Sequence, residues 1–352
     1  MTQWLWYNAL RLYVKCGLYY YFKKITIHGI DNIPSGPVIF VVNHQNALLD
    51  ALMIACFNPH TTYFLTRADL FKKPFVRWLL TTFKMLPIYR VRDGWQSLGE
   101  NQKTFDACSE VLIRNEAVAI FPEGNHGHQR RIRQLSKGFT RLPFEALQKY
   151  PHLKINIVPV GLNFSVHQSF RSSVSIYYGT PILANDYFKE PLPSEALRLR
   201  NDISECLKKL TTHVEDVERY DEIIQELEAT KPNYLDPIAT NQRIAKIERG
   251  ENLPISPSTK SNRSLIFKLL HFLSQVINFP SLLLWRKIKK GIKDPVFEAS
   301  VKFGFGIFAF PIYYFLLATV AYLFWGGIGI GFCLLICICI PSMALSHLGS
   351  GD

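Results

Sequence analysis

Charged residues are missing from the C-terminal end of the sequence: from Phe303 to Gly351 there is no Asp, Glu, Lys or Arg. A wholly water-soluble chain of this size could hardly bury so long an uncharged run. A membrane-spanning helix needs about 20 apolar residues, so the run is long enough for two. For residues 303–352 we predict a membrane hairpin of Phe303–Trp325 and Ile328–Leu345, either two spans or a re-entrant pair. A buried core hairpin is the alternative.

Cysteine clusters and a serine elbow are missing too. The seven cysteines are scattered, without the spacing of metal ligands or of a disulfide framework. No GxSxG motif is present. We therefore expect no metal site, and the absence of the elbow argues against a serine hydrolase. Reduced thiols that face the cytosol are the simplest interpretation.

The N-terminal residues lack an early cationic region and a small-residue cleavage site, which argues against a signal peptide. Trp and Tyr are abundant there and are mixed with Arg and Lys. This composition is typical of a helix at a membrane interface, which we predict for residues 1–29. A core helix packed on the domain is the alternative.

The charge balance points to an anionic partner, because a net charge of +12 accompanies 48% hydrophobic residues. Phospholipid and nucleic acid both fit. Only phospholipid explains the hairpin, and no nucleic-acid-binding motif is recognised, so we expect no nucleic acid as partner. Residues 285–302 carry six Lys or Arg and two acids. This bias predicts a basic interfacial segment, 263–302, on the cytoplasmic side.

Residues 30–186 have the pattern of an α/β domain. Short apolar runs rich in β-formers alternate with helical stretches: PVIFVV (37–42), TYFLT (62–66), LPIYRV (86–91), AVAIF (117–121), INIVPVGLNF (155–164) and VSIYY (174–178). Crossovers of this length predict a mainly parallel sheet with helices on both faces. Residues 187–262 are predicted to be a charged helical region that ends in a linker.

His44 stands at the exit of an apolar run, and Asp50 follows six positions later. An imidazole can take a proton from an alcohol near neutral pH once a carboxylate orients its other nitrogen. Without a serine nucleophile, such a pair fits a reaction in which the substrate supplies the hydroxyl. The alternative is that Asp50 only favours a helix N-terminus and His44 only ends a strand.

A second polar stretch, FPEGNHGHQRRIRQLSKG (121–138), follows another apolar run. Glu123 and Gly124 come at the strand exit, where a carboxylate could hold a substrate hydroxyl. Cations follow that could bind a phosphate: Arg130, Arg131, Arg133 and Lys137. A solvated basic loop or a contact to phospholipid head groups is the alternative.

These residues resemble the glycerolipid acyltransferase superfamily, of the lysophosphatidic acid and glycerol-3-phosphate acyltransferase type. Four blocks match in order: NHQNALLD (43–50), LPIYRVRD (86–93), FPEG (121–124) and IVPVG (157–161). The resemblance implies catalysis by His44 and Asp50 and phosphate binding by Arg90. It also implies motif positions at Pro122, Val158 and Pro159.

Two departures from the family pattern stand out. Five residues separate His44 and Asp50 instead of the common four, as in a branch that includes fungal-type glycerol-3-phosphate and dihydroxyacetone-phosphate acyltransferases. Asn125 and His126 replace the usual Thr or Ser and Arg after FPEG. The resemblance therefore leaves the acceptor open.

The resemblance implies a membrane-bound O-acyltransferase without a cofactor, whose catalytic domain faces the cytoplasm. It would move a fatty acyl group from acyl-CoA or acyl carrier protein to glycerol 3-phosphate or 1-acylglycerol 3-phosphate. Alternatives are dihydroxyacetone phosphate or a non-phosphate lyso-lipid as acceptor. A non-catalytic membrane lipid-binding protein is a further alternative.

Overall fold

The fold is built around one β-sheet. The computed structural model describes residues 2–89, 99–251, 253–254, 272 and 274–339, with side chains only between residues 5 and 327. The strands are β1 (Lys24–His28), β2 (Val38–Val42), β3 (Thr62–Arg67), β4 (Met85–Ile88), β5 (Ala117–Ile120), β6 (Asn156–Phe164), β7 (Ser173–Tyr178) and β8 (Ile182–Leu183).

The strand order is β1-β7-β6-β2-β5-β3-β4, and β8 pairs with β6. Strand β2 lies at the centre and pairs in parallel with both β5 and β6. Among the strands of the described residues, only the pairings of β6 with β7 and with β8 are antiparallel. The prediction of a mainly parallel sheet is therefore confirmed.

Helices cover both faces, as predicted. In chain order they are α1 (Thr2–Tyr21), α2 (Leu48–Cys56), α3 (Pro74–Thr82), α4 (Asn101–Ile113), α5 (Arg141–Lys149), α6 (Leu192–Leu210), α7 (Tyr220–Ala229), α8 (Pro237–Glu248), α9 (Phe279–Lys290) and α10 (Glu298–Cys339). Alternate side chains of β2 point to opposite faces of the sheet and belong to two hydrophobic cores, one on each face. Phe40 packs with α1, α2 and α10, whereas Ile39 and Val41 pack with α4, α5 and α6.

The sheet and the helices packed on it include residues on both sides of the predicted domain, 30–186. Strand β1 lies within the segment 1–29 and pairs with β7 at the sheet edge. Helix α6, predicted as part of a charged region, buries Leu199, Ile203 and Leu207 against the sheet. Its last carbonyl lies so close to Gly161 that a Cβ there would be 2.1 Å from the Leu210 oxygen.

Helix α1 combines both interpretations of the N-terminal segment. Its Leu18 and Tyr21 are buried in the core beside Phe303 of α10. Trp6 and Leu12 on its other side are more than half exposed. The helix therefore packs on the domain and also presents an apolar outer face.

Residues Pro295–Gly327 form a 33-residue helical run whose most apolar 18-residue stretch has a mean hydropathy of 1.9, long and apolar enough to cross a membrane. Helical geometry breaks at Gly326, where φ is 60° and ψ is −148°. This break lies between the two predicted arms of the hairpin, Phe303–Trp325 and Ile328–Leu345. Backbone helix continues to Cys339, and the rest of the predicted second arm lies outside the described residues.

Candidate active site

The candidate site lies at the carboxyl edge of two neighbouring parallel strands. His44 follows the end of β2 by two residues, and Glu123 follows the end of β5 by three. Because β2 and β5 run in parallel, their loops meet at the same edge, which is where open α/β sheets place their ligands. The sheet thus brings together two stretches that are about 80 residues apart in sequence.

His44 and Asp50 form a hydrogen-bonded pair. The distance from His44 Nδ1 to Asp50 Oδ2 is 2.9 Å, and Asp50 is fully buried in the first turn of α2. The same carboxylate oxygen accepts the backbone N–H groups of Gln45 (2.8 Å) and Asn46 (2.7 Å). A carboxylate at Nδ1 favours the tautomer that carries its proton there, which leaves Nε2 able to accept a proton. The His44 side chain is 20% exposed, so a substrate can reach it.

The loop between His44 and Asp50 accommodates its five residues because Ala47 adopts an unusual backbone conformation. Its φ is 47° and its ψ is −121°, a region that L-residues rarely adopt. The Asn46 side chain donates to the backbone oxygen of His167 at 2.9 Å, which anchors the loop from outside. The longer spacing is therefore compatible with a close His–Asp contact.

Both oxygens of Glu123 have protein partners. Oε1 accepts the backbone N–H of His44 at 3.1 Å, and Oε2 accepts from Arg133 Nε at 2.6 Å. The side chain is only 2% exposed. Burial raises the pKa of Glu123, and the Arg133 charge partly opposes this rise. These contacts support a role in positioning His44, in place of the predicted contact with a substrate hydroxyl.

The imidazole of His44 is stacked between two rings. Its centroid lies 4.3 Å from that of Phe121 and 5.6 Å from that of His126, with interplanar angles of 24° and 21°. His126 also contacts Phe297 and lies 3.9 Å from an oxygen of Asp294. Burial and the nearby His44 lower the pKa of His126. Because its ring stacks beside that of His44, His126 belongs to the site. The sequence had identified it only as a departure from the family pattern.

The predicted basic cluster does not form one phosphate site. The guanidinium of Arg130 is partly buried, donates to the backbone oxygens of Phe164 (3.1 Å) and Ser165 (3.2 Å), and lies 3.3 Å from the ring centroid of Tyr234. These contacts do not support the predicted role of Arg130 as a phosphate ligand, because both of its terminal nitrogens donate to backbone oxygens.

Arg131 belongs to the same packed segment. The backbone N–H of Arg130 donates to the Tyr220 hydroxyl at 2.7 Å, and that of Ile132 donates to His213 Nδ1 at 2.9 Å. Arg131 therefore lies where this segment packs against the helical region. Lys137 is exposed at the start of a short 3-10 helix, Lys137–Thr140.

Arg133 is the cation of this stretch that the structure brings to the site. Besides its contact with Glu123, it donates to the backbone oxygen of Asn125, and its side chain remains 28% exposed. Gly124 allows the tight loop between them, with φ at 65°. The backbone oxygen of Pro122 accepts from the Ser136 N–H at 2.7 Å and closes the loop.

Two of the three predicted motif positions are part of the sheet. Val158 and Pro159 are buried within β6, where they pair with Phe40 and Val41 of β2. They support the sheet rather than the surface of the site. Arg90 lies outside the described residues. Within the described part of the chain, no group of three or more His, Cys, Asp or Glu is arranged to hold a metal ion.

Helix α10 reaches the loop between His44 and Asp50, which no local sequence signal indicates. The Ser300 hydroxyl donates to the backbone oxygen of Asn46 at 2.9 Å and accepts the N–H of Leu49 at 3.2 Å. Gln168 donates to the backbone oxygen of Pro295 at 3.2 Å, and Lys302 donates to that of Gln168 at 2.9 Å. The beginning of the apolar helix is thus fastened to the loop between His44 and Asp50.

Comparison with known proteins shows that residues 24–163 match the model of the Acyltransferase family. The chain is 26% identical to glycerol-3-phosphate O-acyltransferase 2 of Saccharomyces cerevisiae over 48% of this chain and 21% of that protein. It is 28% identical to the chloroplastic 1-acyl-sn-glycerol-3-phosphate acyltransferase LPAT1 of Arabidopsis thaliana, over 34% of this chain and 32% of that protein.

A third relative is the 1-acyl-sn-glycerol-3-phosphate acyltransferase of Helicobacter pylori, 29% identical over 32% of this chain and 45% of that protein. The chain therefore matches less than half the length of each of these relatives. Among solved structures, the 1-acyl-sn-glycerophosphate acyltransferase PlsC of Thermotoga maritima is 18% identical, with a TM-score of 0.43 over 57% of this chain and 76% of that one.

Proposed function

Because residues 24–163 of this chain match the Acyltransferase family, we propose that the protein transfers a fatty acyl group to a glycerophosphate. The donor is a thioester, acyl-CoA or acyl carrier protein, and the acceptor is a hydroxyl of glycerol 3-phosphate or of 1-acylglycerol 3-phosphate. The observation that carries the proposal is the 2.9 Å contact of His44 with the buried Asp50, at a partly open strand edge. The names of the relatives support this class of acceptor.

In the proposed reaction His44 acts as a general base. Its Nε2 accepts the proton of the acceptor hydroxyl as that oxygen attacks the carbonyl carbon of the thioester. The tetrahedral intermediate then collapses with cleavage of the carbon–sulfur bond, and the imidazolium returns the proton to the departing thiolate. Asp50 stabilises the imidazolium between these steps. The products are an ester and a free thiol, and the His–Asp pair returns to its starting state.

We assign the acceptor phosphate to Arg90 together with Arg133. Arg90 is assigned from the resemblance of its block to the family, and Arg133 from its partly exposed guanidinium beside Asn125. Arginine suits this task because its planar donors match phosphate oxygens in pairs. Arg130 and Arg131 are left out, since their segment packs against the helical region.

Membrane association fits both substrate and product. Long acyl chains are sparingly soluble, and the apolar run Pro295–Gly327 would hold the site at the bilayer. We propose that the catalytic domain faces the cytoplasm, since five basic residues between Arg286 and Lys293 precede this run.

The test uses the full chain, purified in detergent, with radiolabelled acyl-CoA or acyl carrier protein as donor. Glycerol 3-phosphate, 1-acylglycerol 3-phosphate, dihydroxyacetone phosphate and a non-phosphate lyso-lipid are compared as acceptors. We expect His44→Ala to lower kcat by at least about a thousandfold, since it removes the general base and the proton donor together. His152→Ala serves as control, because that histidine is exposed on the surface.

Product from a glycerophosphate acceptor, lost in His44→Ala and kept in His152→Ala, would support the proposal. Acyl transfer that persists in His44→Ala would overturn the role of His44. Product from the lyso-lipid alone would overturn the assignment of the phosphate, and no product from any acceptor would favour a lipid-binding protein.

A further inference from the structure

Helices α1 and α10 line an open cavity of about 300 Å³, at the lower end of the range for small-molecule sites. Its walls are mainly aromatic and aliphatic, with Tyr20, Tyr21 and Phe170 on one side and Phe303, Ile307 and Phe310 on the other. The residues that line it include none of the partners of His44 described above. It is therefore a site of its own.

Three polar groups of the wall are bound within the protein. The hydroxyl of Tyr13 donates to the backbone oxygen of Ile307, and that of Tyr21 donates to that of Ala299 at 3.5 Å. Lys302 Nζ donates to the backbone oxygen of Gln168 at 2.9 Å. With these groups engaged, the cavity offers an apolar interior, which suits a hydrocarbon chain better than a polar metabolite.

Backbone features explain why space remains between the two helices. At Gly17 the helices touch, since a Cβ there would lie 2.8 Å from Ile307 Cγ2. At Gly306 a Cβ would meet nothing within 4 Å, so this glycine opens onto empty space. Pro311 lies inside α10 and also lines the cavity, where it removes one helical hydrogen bond.

The cavity is flanked by the apolar outer surface of the same helices. Leu12 is 63% exposed on α1, and Phe308 and Ile312 are 57% and 61% exposed on α10. Exposed apolar side chains on a helix of membrane-spanning length are the expected contact surface for lipid tails. A chain that leaves the bilayer can therefore enter from a surface that lipid already covers.

We propose that this cavity binds one hydrocarbon chain of a bilayer phospholipid, which fills the space between α1 and α10. The lipid then acts as a ligand that holds the apolar helix against the domain, separate from the acyl donor and the acceptor. Through Ser300, two residues before Lys302 on the same helix, this packing extends to the catalytic loop.

The experiment is photolabelling of the full chain in phosphatidylcholine vesicles that contain a phosphatidylcholine with a diazirine in one acyl chain. Labelled peptides are mapped by mass spectrometry. The test variant is Gly306→Leu, which fills the cavity without a backbone clash, and the matched control is Gly304→Leu. Gly304 lies on the same helix, also has nothing within 4 Å of a Cβ, and does not line the cavity.

We expect label on residues 13–21 and 302–314, reduced about tenfold in Gly306→Leu, as for an overpacked core site, and unchanged in Gly304→Leu. Gly306→Ala adds a single methyl group, keeps the helix intact and should give an intermediate loss. His44→Ala should label like the parent, so a failure of the proposed acyl transfer leaves this result readable.

Three outcomes would overturn the proposal. The first is no label on these two helices in the parent protein. The second is equal label in Gly306→Leu and Gly304→Leu. The third is label displaced by saturating long-chain acyl-CoA, which would assign the cavity to the chain of the donor.

Discussion

The ion pair of Glu123 and Arg133 provides the sharpest test of how the site is held together. Two unit charges 2.6 Å apart attract by about 6 kcal/mol at an effective dielectric constant of about 20. Desolvation of the buried carboxylate offsets part of this attraction. Removal of one partner of a buried pair leaves an uncompensated charge and costs about 3–5 kcal/mol. Because Glu123 is 2% exposed and Arg133 is 28% exposed, the two removals should not cost the same.

Arg133→Met should lower the free energy of unfolding by about 3–5 kcal/mol, since it leaves the Glu123 carboxylate buried without a cation. Glu123→Gln should cost less, about 1–2 kcal/mol, because the freed guanidinium can reach water and the amide oxygen can still accept the His44 N–H. The double variant should be more stable than Arg133→Met alone, with a coupling energy of about 2–3 kcal/mol.

The pH dependence has a definite sign. Burial already raises the pKa of Glu123 in the folded protein, and loss of Arg133 raises it further. A folded-state pKa above the unfolded value means that protonation favours the folded state, so this contribution is present at low pH and is lost as the pH rises through the folded pKa. The deficit of Arg133→Met should therefore shrink as the pH falls from about 7 towards the ordinary glutamate value of about 4.5.

The assay is the unfolding midpoint of the four proteins of the cycle, measured in one detergent at two pH values. Initial rates of acyl transfer on the same samples report whether His44 remains in place. A deficit in Arg133→Met below about 1 kcal/mol would refute the reasoning, because that is the range of an exposed pair. A deficit independent of pH would refute the assignment to a buried carboxylate.

Three further changes test other contacts of the site. Asp50→Asn should lower kcat about a thousandfold with little change in KM, because the amide cannot stabilise the His44 imidazolium, and initial rates at saturating acceptor would measure this. Ser300→Ala should lower kcat about threefold to tenfold and stability by about 1 kcal/mol, and Ser300→Thr, which keeps the hydroxyl, should restore both. Arg130→Met should lower the unfolding midpoint by an amount equal to about 1–3 kcal/mol, with an unchanged KM for the acceptor, since Arg130 supports Tyr234 and two carbonyls.

Local patterns predicted the central features well. The apolar runs identified β2 and β5, and their parallel pairing brings His44 and Glu123 to one edge. Strand β1 was missed because KITIH is short, begins with Lys and has half-exposed or exposed residues throughout. A period-2 pattern with one buried face is weak at a sheet edge.

Side-chain direction could not be predicted, because it depends on distant partners. Arg130 and Arg133 are three residues apart in a loop, yet one stacks on Tyr234 and the other binds Glu123. In the sequence, both are cations that could bind a phosphate. Only the packed helical region shows which of them faces the site, and the contact of Ser300 with Asn46 is equally invisible in the sequence.

The hydrogen bond between Ser300 and Asn46 forms late in synthesis of the chain, since 254 residues separate its partners. At about 5–20 residues per second, the ribosome adds Ser300 about 13–50 s after Asn46. During that interval the loop that joins His44 and Asp50 lacks its outer hydrogen bond, and residues 303–327, the bulk of the apolar run, have yet to be made. A chain still on the ribosome therefore carries an unfinished site, and the loop between His44 and Asp50 gains this hydrogen bond only when synthesis reaches the apolar run.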